Sequence, residues 1–153
     1  MPSTHSALLS QLKQDYPDLS FTESDTFLWS PAKKTIYYKL DDPDTSALVL
    51  HELAHAILGH NDYHRDIELI AMERAAWDYA RGQLAPAYHC HITEEFADST
   101  LDTYRDWLHA RSTCPTCGAT GLQVKQRLYR CLACGHSWRV NEARTCALRR
   151  YAI

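Results

Sequence analysis

Two short cysteine pairs restrict what the C-terminal third of this chain can become. Cys114-Pro115-Thr116-Cys117-Gly118 and Cys131-Leu132-Ala133-Cys134-Gly135 repeat one pattern, with thirteen residues between Cys117 and Cys131. A two-residue spacer lets both thiolates of a pair reach one ion, and the following glycine permits the tight turn that presents them. A segment of about 30 residues is too small to fold on an apolar core alone, so metal binding must supply its stability. Four thiolates leave no vacancy, which defines a closed structural zinc site. Leu128-Tyr129-Arg130 and Ser137-Trp138-Arg139-Val140 read as its short strands, giving a zinc ribbon.

The charge divides at the same place. Of 16 Lys/Arg and 19 Asp/Glu, residues 1–110 hold 8 and 18, whereas residues 111–153 hold Arg111, Lys125, Arg127, Arg130, Arg139, Arg144, Arg149 and Arg150 against Glu142 alone. Two domains are therefore expected, 1–110 and a basic ribbon over 111–153. Arg127, Arg130 and Arg139, with Tyr129 and Trp138 interleaved, suit phosphate contact and base stacking, or a protein partner with an acidic surface. The plain alternative makes the aromatic pair the ribbon's own core. No run approaches eighteen apolar residues, and Met1-Pro2-Ser3-Thr4-His5 lacks the basic-then-apolar start of a secretory signal. No membrane partner and a cytoplasmic setting are expected, and there paired cysteines hold metal rather than form disulfides.

In the first 110 residues the spacing predicts a helix over Ser6–Tyr16 and a hairpin of Thr26–Trp29 with Thr35–Leu40, turned at Ser30–Lys34. Thr35–Leu40 is expected to be the edge strand, able to align an extended peptide. Asp41–Ser46 offers N-cap candidates for a helix over Thr45–Leu58 ended by Gly59. Further helices are expected over Asp66–Arg81, stopped by Gly82, and over Glu94–His109. The apolar stripe of the former reads as Ile67, Ile70, Ala71, Trp77 and Ala80. The fold class is α+β.

The first of these central helices carries His51-Glu52-Leu53-Ala54-His55. Residues four apart share a helix face, so both imidazoles reach one tetrahedral Zn²⁺. Glu52, one position on, can take a proton from a water whose pKa zinc lowers towards about 7. A catalytic zinc needs a third protein ligand and an open fourth position. His60 falls out of register for the long zincin pattern, which requires Gly three and His six positions beyond the second His. Glu68 and Glu73 both lie in the next helix. Glu73, beside Ala75, Ala76 and Trp77, suits a close helix contact, while Glu68 follows an exposed-looking Arg65-Asp66. His64 and Asp66 are weaker candidates. Tyr63, His64, Tyr88, His89 and His91 are undistinguished candidates for steadying an oxyanion. His89-Cys90-His91 is a ligand-rich triplet whose adjacent residues do not converge easily, and Cys146 is expected to pack near the ribbon.

Leu50-His51-Glu52-Leu53-Ala54-His55-Ala56-Ile57-Leu58-Gly59-His60, followed by Glu73-Arg74-Ala75-Ala76-Trp77-Asp78-Tyr79-Ala80, Leu84-Ala85-Pro86 and Phe96-Ala97-Asp98-Ser99, resembles the ImmA/IrrE metallopeptidases over roughly residues 20–105. That resemblance implies a small gluzincin-like protease domain with His51, His55 and Glu73 on zinc and Glu52 as base. It also implies a protein substrate of the helix-turn-helix repressor kind. Trp77 stands where the family usually has a small polar residue. A looser resemblance is to SprT-type proteases, which join the same motif to a zinc ribbon. The expected activity is peptide-bond hydrolysis with two zinc ions, one catalytic and one structural. The competing expectation is a non-catalytic zinc-ribbon adaptor, binding nucleic acid or protein, with a degenerate first domain.

Overall fold

The computed structural model describes residues 3–141 and the backbone of 150–152. The expectation for Cys146, like three charges counted in the tail (Glu142, Arg144 and Arg149), lies outside the described residues. The order of elements is α1 (Thr4–Asp15), β1 (Ser20–Glu23), β2 (Leu28–Ser30), β3 (Thr35–Tyr38), α2 (Thr45–Ile57), α3 (Asp66–Tyr79), a π-helical turn (Ala80–Leu84), α4 (Ala85–Ala87), α5 (Glu94–Ser112), β4 (Leu122–Lys125), β5 (Leu128–Arg130), β6 (Ser137–Val140) and β7 (Arg150–Ala152). The class is α+β with two small sheets. No described helix is long and apolar enough to cross a membrane.

The chain forms two compact units, and a single cut at residue 111 does not separate them. Met1–Asn61 and Met72–Glu94 make the first; Asp62–Ala71 and Glu95–Ile153 make the second. The start of α3 and nearly all of α5 thus go with the ribbon.

In the first unit, α1 starts at Ser3, whose hydroxyl accepts the Ser6 N–H at 3.2 Å, and buries Leu8, Leu9 and Leu12. The sheet order is β1-β3-β2, with β1 parallel and β2 antiparallel to β3. The expected hairpin is present, but β3 is the central strand and not the edge. Thr35, Ile36 and Tyr38 are buried, as a strand with a neighbour on each side requires. The partner that displaces it from the edge, Ser20-Phe21-Thr22-Glu23, buries only Phe21 and so carries little strand signal.

α2 packs on β2, β3 and α1 through Val49, Leu50, Leu53 and Ala54, all fully buried. The Thr45 hydroxyl donates to the Lys39 and Asp42 carbonyls at 2.6 and 2.9 Å, fixing where the helix begins. It ends in a Schellman turn. Gly59 takes φ +70°, its N–H donates to Ala56 O at 3.2 Å, and the His60 N–H donates to His55 O at 3.0 Å.

α3 does not stop at Gly82. The chain continues through the π-helical turn into α4, because Ala80, Leu84 and Ala85 are buried and offset the roughly 1 kcal/mol a helical glycine costs. Pro86 fits near the start of α4, where no N–H is needed. The buried stripe also differs from the expected one. It runs Leu69, Glu73, Ala76, Trp77 and Ala80, while Ile67 is 58% exposed and Ala71 is exposed.

The second sheet has the order β4-β5-β6-β7, antiparallel throughout. Tyr129, Trp138, Val140, Cys114 and Cys131 form its core. Tyr129 stacks on Trp138 at 5.7 Å between ring centroids, so the aromatic pair is interior and unavailable to stack on bases. Arg111, counted in sequence as a basic surface charge, is 1% exposed. Its Nε donates to Asp66 Oδ2 at 2.8 Å, its Nη1 to the Asn141 carbonyl at 2.6 Å, and its guanidinium lies 4.4 Å from the Trp107 ring centroid. Its own carbonyl accepts the Trp138 indole N–H at 2.9 Å. The Tyr129 hydroxyl donates to the same Asp66 oxygen at 2.7 Å. Burial and the Asp66 carboxylate push that phenol well above its ordinary range. Asp66, exposed-looking in sequence and a weaker metal candidate, is spent on this network.

Candidate metal centres

Helix periodicity puts His51 and His55 on the buried face of α2, one turn apart. Glu73 comes from the face of α3 that also buries Ala76 and Trp77. The three converge. His51 Nε2 lies 2.8 Å from Glu73 Oε2, His55 Nε2 lies 3.1 Å from Glu73 Oε1, and the two Nε2 atoms are 3.1 Å apart. All three residues are 7% exposed or less. Burial acts to raise the Glu73 carboxyl, but the hydrogen bonds from His51 and His55 outweigh it and hold the group down to about 2.

The donor set suits a metal ion. Each of the three buried residues offers one ligand atom, these atoms lie within 4.8 Å of one another, and a cation at their centre could take all three. Ligands bound tetrahedrally at about 2.0–2.1 Å lie roughly 3.3 Å apart, close to the spacing present. The set is two imidazoles and one carboxylate, and this trio leaves a fourth tetrahedral position without a ligand.

Glu52 stands beside the trio without joining it. Its Oε2 accepts the Trp29 backbone N–H from β2 at 2.9 Å. Burial pushes its carboxyl above the usual carboxylate range, against the pull of His51 and His55. The remaining ring contacts fix the histidines. Trp77, 1% exposed, stacks on His51 with centroids 4.1 Å apart and planes 21° apart. Among the described residues His51 Nδ1 has no hydrogen-bond partner, so beyond its Nε2 contacts the ring is held by stacking on Trp77.

His55 is held differently. Its Nδ1 lies 2.8 Å from His60 Nδ1, on the side of the ring away from Glu73. The Schellman turn returns the chain over His55, and the His60 carbonyl accepts the Trp29 indole N–H at 3.3 Å. With His55 Nε2 on a metal, its Nδ1 carries the proton and His60 accepts it, which sets tautomer and ring orientation. His60 is therefore no third ligand, as its spacing indicated, but a partner of the second. Its role was open to inference from the Gly59-His60 pair, since a Schellman turn carries the sixth residue back to the third-last of the helix. Trp29 had no such signal, because it acts through its backbone. His60→Ala is expected to weaken zinc binding at this centre about 10–100-fold. His60→Asn, which keeps an acceptor, should restore most of the affinity. Chelator competition checks this, with the thiolate site of the same chain as internal reference.

The other candidates do not gather here. Glu68 is exposed and accepts the His64 N–H at 3.0 Å. The Tyr88 hydroxyl donates to Asp15 at 2.7 Å, His89 and His91 are exposed, and the Cys90 thiol donates to Tyr88 O at 3.5 Å. Among the described residues only two clusters could hold a metal: His51-His55-Glu73, and the four paired cysteines.

The second cluster repeats one local solution twice. Gly118 and Gly135 take φ +77° and +78°, and their N–H groups donate to Cys114 O and Cys131 O, each at 2.9 Å. The Cys114 and Cys131 N–H groups donate to Ala119 O and His136 O, each at 2.8 Å. Across the pairs, Cys114 Sγ is 3.7 Å from Cys134 Sγ and Cys117 Sγ is 3.5 Å from Cys131 Sγ. Disulfide sulfurs lie near 2.05 Å, whereas a tetrahedral ion with bonds of about 2.3 Å separates its sulfurs by roughly 3.8 Å. Backbone N–H groups, foremost that of Cys134, hold the Cys131 thiol low. At Cys114, burial opposes similar donors, which bring it to about 6. Four sulfurs this close and not bonded to one another suit one cation.

Set against known proteins, the chain matches no family model, no curated protein and no solved structure. What the two centres do must come from their own chemistry.

Proposed function

We propose that this chain is a zinc-dependent endopeptidase whose first unit is a zincin-like, gluzincin-type domain. The observation that carries the reading is the convergence of His51, His55 and Glu73 with an uncoordinated carboxylate, Glu52, alongside. His51, His55 and Glu73 would hold a zinc ion, which would supply Lewis acidity towards a scissile carbonyl and lower the pKa of a water there. Glu52 takes the proton of the attacking water and returns it to the leaving amine. The Trp29 N–H keeps that carboxylate in place, and burial keeps it basic enough to receive a proton. Because β2 is an edge strand and contacts the base, an extended substrate is expected to pair along β2 rather than along β3.

The resemblance to ImmA/IrrE metallopeptidases supports a regulatory protein as substrate, a DNA-bound repressor in particular. The four-cysteine ribbon holds a structural zinc and recruits that substrate or nucleic acid. The reading places the chain in the cytoplasm, where such thiols stay reduced.

Zinc content is the first test. Wild type is expected to carry about two ions per chain, and Glu73→Ala about one. A single ion unchanged by the substitution would leave only the ribbon metallated, and the adaptor reading would replace the enzyme.

A further inference from the structure

We propose that the solvent face of the ribbon sheet binds the phosphate backbone of double-stranded DNA without reading its sequence. This deepens the recruiting role given to the ribbon above but does not require the first unit to hydrolyse anything.

The strand register assigns the face. Lys125 pairs with Leu128, which pairs with Arg139; Leu122 pairs with Arg130, which pairs with Ser137. Paired residues share a side of the sheet. These six therefore lie opposite Gln123, Tyr129 and Trp138, which are buried. Lys125, Arg130 and Arg139 are exposed and sit one on each of β4, β5 and β6. Neighbouring strands are about 4.8 Å apart, so Lys125 and Arg139 stand roughly 10 Å apart with Arg130 between them, one row along.

None of the three cations forms an ion pair among the described residues. Ser112–Asn141 contains no Asp or Glu, and Arg111, which does have a carboxylate, is buried behind the sheet's other face. Three uncompensated cations on one small face match a polyanion of high charge density. The buried aromatic pair then decides the kind of nucleic acid. With Tyr129 and Trp138 turned inward, neither is available to unstacked bases, so among the described side chains the face binds through charge, and the duplex carries the denser charge. Contacts from Lys125, Arg130 and Arg139 to phosphate oxygens carry no sequence code.

The test uses the full-length, zinc-loaded chain and a fluorescein-labelled duplex of about 20 base pairs, read by anisotropy between about 50 and 200 mM KCl. Three phosphate contacts predict a slope of log K against log salt near about −2.7, a roughly 40-fold loss of affinity over that range. Lys125→Gln/Arg130→Gln/Arg139→Gln should abolish duplex binding while retaining full zinc content. Lys13→Gln/Lys33→Gln/Lys34→Gln, an equal loss of exposed charge elsewhere, should leave it unchanged. The proposal is overturned by absence of duplex binding at about 50 mM salt, by equal loss in both triple variants, by tighter binding of oligo(dT), or by equal affinity for poly-glutamate, which would mark a face for acidic proteins. Because Glu52→Gln should bind DNA as wild type does, failure of DNA binding and failure of hydrolysis are read separately.

Discussion

Glu52→Gln is expected to keep both zinc ions and to lose peptide hydrolysis about 10²–10⁴-fold, the usual span for removing a general base. The substitution is clean because of how the side chain is held. Glu52 accepts the Trp29 N–H through one oxygen, and a glutamine carbonyl can accept the same bond, so α2 and β2 should keep their relation. Neither the His51-Glu73 nor the His55-Glu73 contact involves Glu52, so ligand geometry should survive. What disappears is the capacity to take up a proton. The measurement is mass-spectrometric identification of new termini in a proteome-derived peptide mixture, for wild type and variant at matched zinc content. Undiminished cleavage by the variant would sink the assignment of Glu52 as base.

The largest effect on stability is expected at Asp66. Asp66→Ala removes the partner of a guanidinium that is 1% exposed and the acceptor of a buried tyrosine hydroxyl. Breaking a buried pair from one side costs about 3–5 kcal/mol, because the remaining charge stays desolvated and unpaired. Replacing both members tests that explanation. Asp66→Leu/Arg111→Met should recover a large part of the loss, since an apolar pair of similar volume owes nothing for desolvation. Urea denaturation at saturating zinc gives both numbers. A cost below about 1 kcal/mol for Asp66→Ala would mean that solvent reaches the pair.

How legible these features were in sequence depended on the range of the interactions that make them. The trio's two histidines follow from helix periodicity alone, and the four cysteines follow from their spacers. Glu73 needed only its apolar neighbours to stand out from Glu68. Asp66 looked exposed because its partner, Arg111, lies forty-five positions away and no local pattern ties the two. Ile67 looked internal for the converse reason: the α3 stripe is set by Leu69, Glu73 and Trp77, and a buried carboxylate in the stripe misaligns a count of apolar residues. β1 hid in Ser20–Glu23 because a parallel neighbour that starts after a four-residue link from a helix has no turn signature, and its arrival turned β3 from edge to centre. Gly82 read as a stop where burial of Leu84 and Ala85 carries the helical chain past it. Trp29 was invisible because any residue can donate a backbone N–H.

Modularity is where the division of the chain matters most. The ribbon unit takes Asp62–Ala71 as well as Glu95–Ile153, so the polypeptide passes between the two units three times, and α3 begins in one and ends in the other. A tail joined by a single linker can be gained, lost or exchanged by recombination at one point. This ribbon cannot, since a cut at residue 111 would strip it of Asp66 and leave the buried Arg111 guanidinium without its carboxylate. Asp62–Ala71 must therefore stay with Glu95–Ile153 for the ribbon unit to keep its buried pair.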